Sequence, residues 1–345
     1  MLTGTASDAG REVSRLPSPR VEQAALALGL DAATAEVVVA LAARDLDAVL
    51  LKGAAVAHWL YPDDPSTRTY RDVDLAVAPD TFERAEAVLR GLGFTCPSDD
   101  VSPREKAWLM ETPWERPGSP PVSIDLHRGF HGVGDWPAWW ASLAARSVAL
   151  TVAGREVRVP DAAGQALVVA LHDTAVDRAS QSAEDLRRAL VRFDREVWAE
   201  AARRAEEVQA VASFALGLSH HSRGRDLASC LGLSTKLPLE VAARAGAGPG
   251  ADTLLLGRAS VVAHRFAHAK GWRERFLVAW GFAFPSAATL RISSRIASTG
   301  RGGLALARVW RPVELVAQAP RVLLTLWRGY RGRDVSRKGK SSSSP

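Results

Sequence analysis

"LLKGAAVAHWLYPDDPSTRTYRDVDLAV", residues 50–77, is the stretch whose reading decides the fold. "DAVLLKG" (47–53) is a short apolar run ending in glycine, which predicts a buried strand and a tight turn, and "AAVAHWLY" after it has helical spacing. "DVDLAV" (72–77) predicts a second strand. Successive side chains of a strand point to opposite faces, so Asp72 and Asp74 leave one face while Val73 leaves the other. Two carboxylates so placed repel each other unless a cation neutralises them, and hard oxygen ligands suit Mg²⁺ or Mn²⁺. An acidic turn at a strand end spells the same letters, so D-x-D by itself leaves both readings open.

The next signals lie further along the chain. "VSIDLH" (122–127) predicts a strand with Asp125 between Ile124 and Leu126. If it pairs with the 72–77 strand, three carboxylates converge. Such a set can hold one ion through Asp72 and Asp74 at a triphosphate and a second, shared with Asp125, at an attacking hydroxyl. His127 shares a face with Asp125 and is expected to orient it or to meet substrate.

Around this core the pattern is α+β. An Ala/Leu-rich run predicts helix over 21–44, and "PDTFERAEAVLRGLGF" (79–94) predicts a helix capped by Asp80 and stopped at Gly91 and Gly93. "KAWLMET" (106–112) and "VSIDLH" read as two strands joined by the Pro/Gly-rich "PWERPGSPP", and "SVALTVA" with "REVRVP" as a hairpin around Gly154. Beyond Pro160 the periodicity is helical. The chain therefore divides into a flexible leader (1–20), a sheet-bearing domain (21–160), a helical domain (161–290), a basic amphipathic segment (291–330) and a disordered tail (331–345).

Composition excludes several classes. Of 345 residues 47% are hydrophobic and 24% charged, the balance of a globular protein. Cys96 and Cys230 match neither a zinc spacing nor a disulfide framework, which predicts a reducing, cytoplasmic setting. No secretory h-region precedes residue 20, and "FLVAWGFAFPSAA" (276–288) is short and broken by Pro285, so no membrane span is expected. The net charge of +6 is unevenly spread: residues 301–345 hold ten Lys and Arg against Glu314 and Asp334, a balance of +8, leaving −2 for the rest. That distribution argues against an extended nucleic-acid track on the body. In "LALARVWRPVELVAQAPRVLLTLWRGYRGR" (304–333), Trp310, Trp327 and Tyr330 interleave with arginines. The expected outcome is a helix packed on its own domain, with peripheral membrane contact as the alternative.

The order "LLKG", a helix, Arg68 four residues before "DVDL", a long helix ending "LGF", and then "IDLH" resembles the uncharacterised bacterial nucleotidyltransferase-like proteins of the DNA polymerase beta-like nucleotidyltransferase superfamily. The resemblance covers roughly residues 20–200, with a weaker echo in "FAFPSAATLR" (282–291). It implies a mixed-sheet polymerase beta-like domain followed by a helical domain. It makes Asp72, Asp74 and Asp125 the catalytic metal ligands for Mg²⁺ or Mn²⁺, and puts Lys52, Gly53 and Ala54 in a phosphate-binding turn. Arg68 matches the arginine preceding the family's D-x-D. His172 and Asp185, in "ALHDTAVDRASQSAEDL", match recurrent positions and are read as a hydrogen-bonded pair between helices or as support for the cleft. The turn departs from the superfamily's Gly-Gly or Gly-Ser, so no hydroxyl is offered to phosphates; backbone N–H groups of the following helix and the Lys52 charge remain.

The implied reaction is transfer of a nucleoside monophosphate from an NTP to an acceptor, with release of pyrophosphate. The acceptor is unknown; a small molecule, peptide or protein suits the body's charge better than nucleic acid. Two alternatives stand beside it, a non-catalytic nucleotide-binding protein with this fold and a D-x-D glycosyltransferase.

Overall fold

A computed structural model describes residues 19–96, 109–118, 120–174, 180–233, 271–287, 290, 297, 300–313, 315 and 317. Residues 1–18, the first part of the strand expected over 106–112, the stretch 234–270 and the tail from 318 to 345 lie outside the described residues.

The chain opens with α1 (Pro19–Ala42), β1 (Ala48–Leu50), α2 (Ala54–Leu60), β2 (Val73–Val77) and α3 (Phe82–Gly91). Next come β3 (Glu111–Arg116), β4 (Val122–His127), α4 (Trp136–Arg146) and the hairpin β5 (Ser147–Val152) and β6 (Arg155–Pro160). The helices α5 (Ala162–His172), α6 (Ser180–Arg192), α7 (Arg195–Glu207), α8 (Val211–Ser219) and α9 (Ser222–Cys230) follow, with α10 (Trp272–Ala283) beyond. Residues 301–313 are helical as well.

Four strands form a mixed sheet in the order β1-β2-β4-β3, with β2 parallel to β4 and both other pairings antiparallel. Alternation sorts its side chains into two layers. Ala48, Leu50, Val73, Leu75, Val77, Ile124, Leu126 and Trp114 pack against α1, α3 and the β5–β6 hairpin. On the opposite face Val49, Leu51 and Ala76 join a core built with α2 and α4–α8. That second core is continuous from Val49 to Leu218, so the helices after residue 160 cover the sheet directly instead of forming a separate core.

Two local expectations are corrected. The third strand runs from Glu111 to Arg116, over "ETPWER", because Trp114 is fully buried opposite Ile124. Pro113 is tolerated since β3 is an edge strand. The N-cap of α3 is Thr81 and not Asp80; its hydroxyl turns back to donate to the Ala78 carbonyl. The helical periodicity beyond Pro160 is interrupted at Gln209, whose φ of 57° separates α7 from α8.

Among the described residues one helix, Val21–Ala42, is by length and composition apolar enough to cross a membrane. Its Leu30, Val37 and Leu41 are buried against the sheet, which is the role of a core helix. At the other end, α10 and helix 301–313 leave Trp272, Phe276, Trp280 and Trp310 exposed, while Leu304 and Ala307 of the second helix pack with Leu290 and Ala297.

Candidate active site

The parallel register sets Asp74 level with Asp125 and Ala76 level with His127. Cα partners in neighbouring strands point to the same side, so Asp72, Asp74, Asp125 and His127 share one face. Glu111, level with His127 on β3, joins them. This is the face that the helices cover, and the acidic end lies at the N-terminal part of β2.

Lys52 follows β1 in the turn to α2, and its Nζ lies 2.6 Å from Asp74 Oδ1. His127 Nε2 lies 3.1 Å from the same oxygen, while its Nδ1 is 3.1 Å from Glu111 Oε2. Burial would raise the Asp74 carboxyl, but the Lys52 ammonium and His127 together hold it well below the usual carboxylate range. Burial likewise opposes the Lys52 charge, and Asp74, Asp72 and Glu111 hold its pKa above the ordinary lysine value. For His127, Glu111 and Asp74 overcome burial and raise its pKa.

For Asp125 and Asp72 burial and the neighbouring carboxylates outweigh the relief that His127 and Lys52 give. Burial, then the charges of Asp74 and Glu111, push Asp125 up to about 7. Asp72 is raised by burial and then by Asp74. Four carboxylates thus face one ammonium and one imidazole, and the balance is short of positive charge.

This decides how far the residues suit a divalent ion. In kind and in facing they do: three hard carboxylates on adjacent strands, two held protonation-prone by burial and mutual repulsion, form a donor set that a cation relieves. In spacing the set is not closed. Among the described residues no three His, Cys, Asp or Glu side chains are grouped so as to hold a metal ion. The ammonium of Lys52 occupies the Asp74 oxygen instead.

The turn holds the remaining predicted residues. Gly53 adopts φ 60°, a conformation that favours glycine, and a Cβ there would lie 3.4 Å from the Tyr70 ring. Ala54 opens α2, which has only seven residues. Arg68 is buried; its Nη1 donates to the Gly53 carbonyl at 3.2 Å, and its Nη2 and Nε donate to Asp185 Oδ2 at 2.9 and 3.2 Å. Asp185 also accepts from the Tyr61 hydroxyl at 2.8 Å and from Gln181 Nε2 at 3.1 Å. Arg68 is therefore a strap from α6 to the Lys52-bearing turn. The expected His172–Asp185 pair is not formed, because Arg68, Tyr61 and Gln181 take the Asp185 carboxylate. His172 instead lines a water-sized cavity with Lys52, Arg68 and Asp185. Burial and the neighbouring Lys52 charge press its pKa down to about 3.

Sequence reasoning misses Glu111, Tyr61 and Gln165. Glu111 is visible only as an alternating position of a strand. Tyr61 closes α2, and Gln165, whose Nε2 donates to the Leu51 carbonyl at 3.2 Å, sits in an otherwise apolar helix. A polar residue in such a run is the signal that marks it.

Comparison with known proteins gives a family. The family model described as uncharacterised nucleotidyltransferase matches residues 10–223. No curated protein matches the chain. Among solved structures, the solution structure of antibiotic-resistance factor ANT(2'')-Ia is 19% identical, covering 58% of this chain and all of its own, with a TM-score of 0.36. An antigenic nucleotidyltransferase-like protein from Paracoccidioides brasiliensis is 14% identical, covering 61% of this chain and 93% of its own, with a TM-score of 0.34.

Proposed function

This chain belongs to the uncharacterised nucleotidyltransferase family, and from that premise we propose that it transfers a nucleoside monophosphate from an NTP to an acceptor in a Mg²⁺- or Mn²⁺-dependent reaction. The observation that carries the reading is the β2–β4 register, which brings Asp125 beside Asp74 on the face that Asp72 shares. Asp72 and Asp74 would hold ions at the triphosphate, and Asp125 would share them on the acceptor side. Ions so bound offset phosphate charge and acidify the acceptor hydroxyl.

The bond changes are those of in-line displacement. The acceptor oxygen attacks the α-phosphorus, the bond from that phosphorus to the α–β bridging oxygen breaks, and pyrophosphate leaves with the electron pair while the acceptor's proton passes to solvent water. The chain's own residues prepare this. His127 fixes Asp74 from beneath, and Arg68 fixes the turn through the Gly53 carbonyl. Lys52, tethered in that turn, is the cation at hand for the incoming phosphates. A small molecule, peptide or protein is the acceptor class that suits the body's slight negative charge.

A second reading, a nucleotide-binding protein without turnover, is favoured by the Lys52–Asp74 ion pair in place of a closed ligand set. Family membership gives no support to a glycosyltransferase. Labelling with each α-³²P NTP, Mg²⁺ or Mn²⁺ and cell extract separates the two. The transferase reading expects a labelled product whose formation falls roughly 10³-fold in Asp125→Ala while Mn²⁺-NTP affinity by calorimetry stays within a few fold. Nucleotide binding without labelled product for any NTP would leave the binder.

A further inference from the structure

We propose that α10 and helix 301–313 form a docking surface for an anionic lipid bilayer. Fourteen large hydrophobic side chains are exposed among the described residues, and nine of them lie between Trp272 and Val313. Every exposed large aromatic among those fourteen belongs to this segment: Trp272, Phe276, Trp280, Phe284 and Trp310. Single exposed leucines and valines elsewhere are ordinary, whereas a concentration of aromatics in one place marks an interaction surface.

Residues 272, 276 and 280 recur every fourth position and so form one ridge along α10, and Phe284 follows just past its end. Phe276 stacks on Trp280 at 5.8 Å between centroids, and Trp280 meets Phe284 at 4.4 Å. Trp272 is 77% exposed and Trp280 51%, so the ridge is turned outward. On helix 301–313 the residues Leu306, Val309, Trp310 and Val313 recur at helical spacing and are exposed, while Leu304 and Ala307 on the other side pack with Leu290 and Ala297.

Charge selects the occupant. Arg273 and Arg275 flank the α10 ridge and are exposed, as are Arg301 and Arg308 on the second helix. Tryptophan and phenylalanine beside arginine suit the boundary between headgroups and acyl chains, where the rings enter the apolar layer and the guanidinium groups meet phosphates. Each basic residue near an anionic surface adds attraction that salt screens. A second copy of the chain fits badly, because the exposed Arg273, Arg301 and Arg308 would face their own like charges. The proposal is independent of the reading of the acidic site.

Flotation of the full-length protein with vesicles tests it. Vesicles containing phosphatidylserine or phosphatidylglycerol should bind at least tenfold more protein than pure phosphatidylcholine at about 0.1 M salt, and roughly 0.5 M salt should remove most of the difference. A triple variant, Phe276→Ala, Trp280→Ala and Trp310→Ala, changes exposed side chains only. It should keep its circular dichroism and Tm and lose at least tenfold of the vesicle binding. Binding to neither vesicle overturns the proposal, as does equal binding to both or full binding by the folded triple variant. Self-association of the wild type that the triple variant abolishes also overturns it, since a second copy then covers the ridge.

Discussion

Replacing Lys52 by Met removes the ammonium paired with the buried Asp74 and leaves the side chain's length almost unchanged. The ion pair is 2.6 Å long, with 16% of the Lys52 side chain and 2% of the Asp74 side chain exposed. Removing one partner of such a pair costs about 3–5 kcal/mol, because the remaining charge is stranded. Two features pull the figure to the lower end. His127 still reaches Asp74 Oδ1 at 3.1 Å, and a stranded carboxylate takes up a proton before it stays charged without relief. The expected loss is about 3 kcal/mol, or a Tm lower by about 6–12 °C in EDTA. Mn²⁺ should then act in the opposite sense. On the proposed reading an ion would compete with a tethered ammonium for Asp74 in the wild type but not in Lys52→Met, so added Mn²⁺ should raise Tm more in the variant. Thermal unfolding of wild type, Lys52→Met, Asp74→Asn and the double variant, each with EDTA or Mn²⁺, reads both effects. Coupling between the two sites of at least ~1 kcal/mol is expected. A Lys52→Met protein as stable as wild type, with no coupling, would refute the dependence of Asp74 on Lys52. Equal Mn²⁺ shifts in both proteins would show that the ion does not meet Asp74.

Two further outcomes concern the wall behind the site. His172 has a folded pKa of about 3 against 6.5 when unfolded, so the unfolded chain binds the extra proton between those values and stability is lost as pH falls through that window. At pH 5 the loss is about 2 kcal/mol, and the stability of His172→Gln relative to wild type should rise by that amount between pH 7.5 and 5 in urea titrations; a flat difference would remove His172 from the account. Asp185→Asn strands the Arg68 guanidinium and should cost about 3–5 kcal/mol, partly restored by Arg68→Met in the same chain. A cost below ~0.5 kcal/mol in denaturant unfolding would mean that the strap does not hold α6 to the turn.

Much of the sheet is legible in the sequence because its signals are local. Period-two alternation in "DVDLAV" and "VSIDLH" marks the strands, and a glycine turn marks the β5–β6 hairpin. The third strand is misplaced for the opposite reason. "KAWLMET" resembles a strand by composition, while "ETPWER" contains a proline and several charged or polar residues. What settles it is Trp114, which is fully buried only once α3 and β4 are already in place. Edge position, which excuses Pro113, is likewise a property of the assembled sheet.

The site divides along the same line, and the division explains its chemistry. Facing follows from alternation, so the strand pattern alone sets Asp72, Asp74, Asp125 and His127 on one side. Pairing does not, because a charged side chain a few ångströms long chooses among several partners by burial and distance. From their place near the turn and the D-x-D, Arg68 and Lys52 both look available to phosphates. In the folded chain Arg68 is spent on Asp185 and the Gly53 carbonyl, and Lys52 on Asp74. The two cations differ in what ligand binding asks of them. Freeing Arg68 would strand a carboxylate between helices with nothing to replace the lost charge, so it stays and positions the turn. On the proposed reading, freeing Lys52 would strand Asp74 only until a divalent ion arrived, and the ammonium would then stand beside the triphosphate. Lys52 thus compensates the acidic face, and on that reading its release would accompany ligand binding.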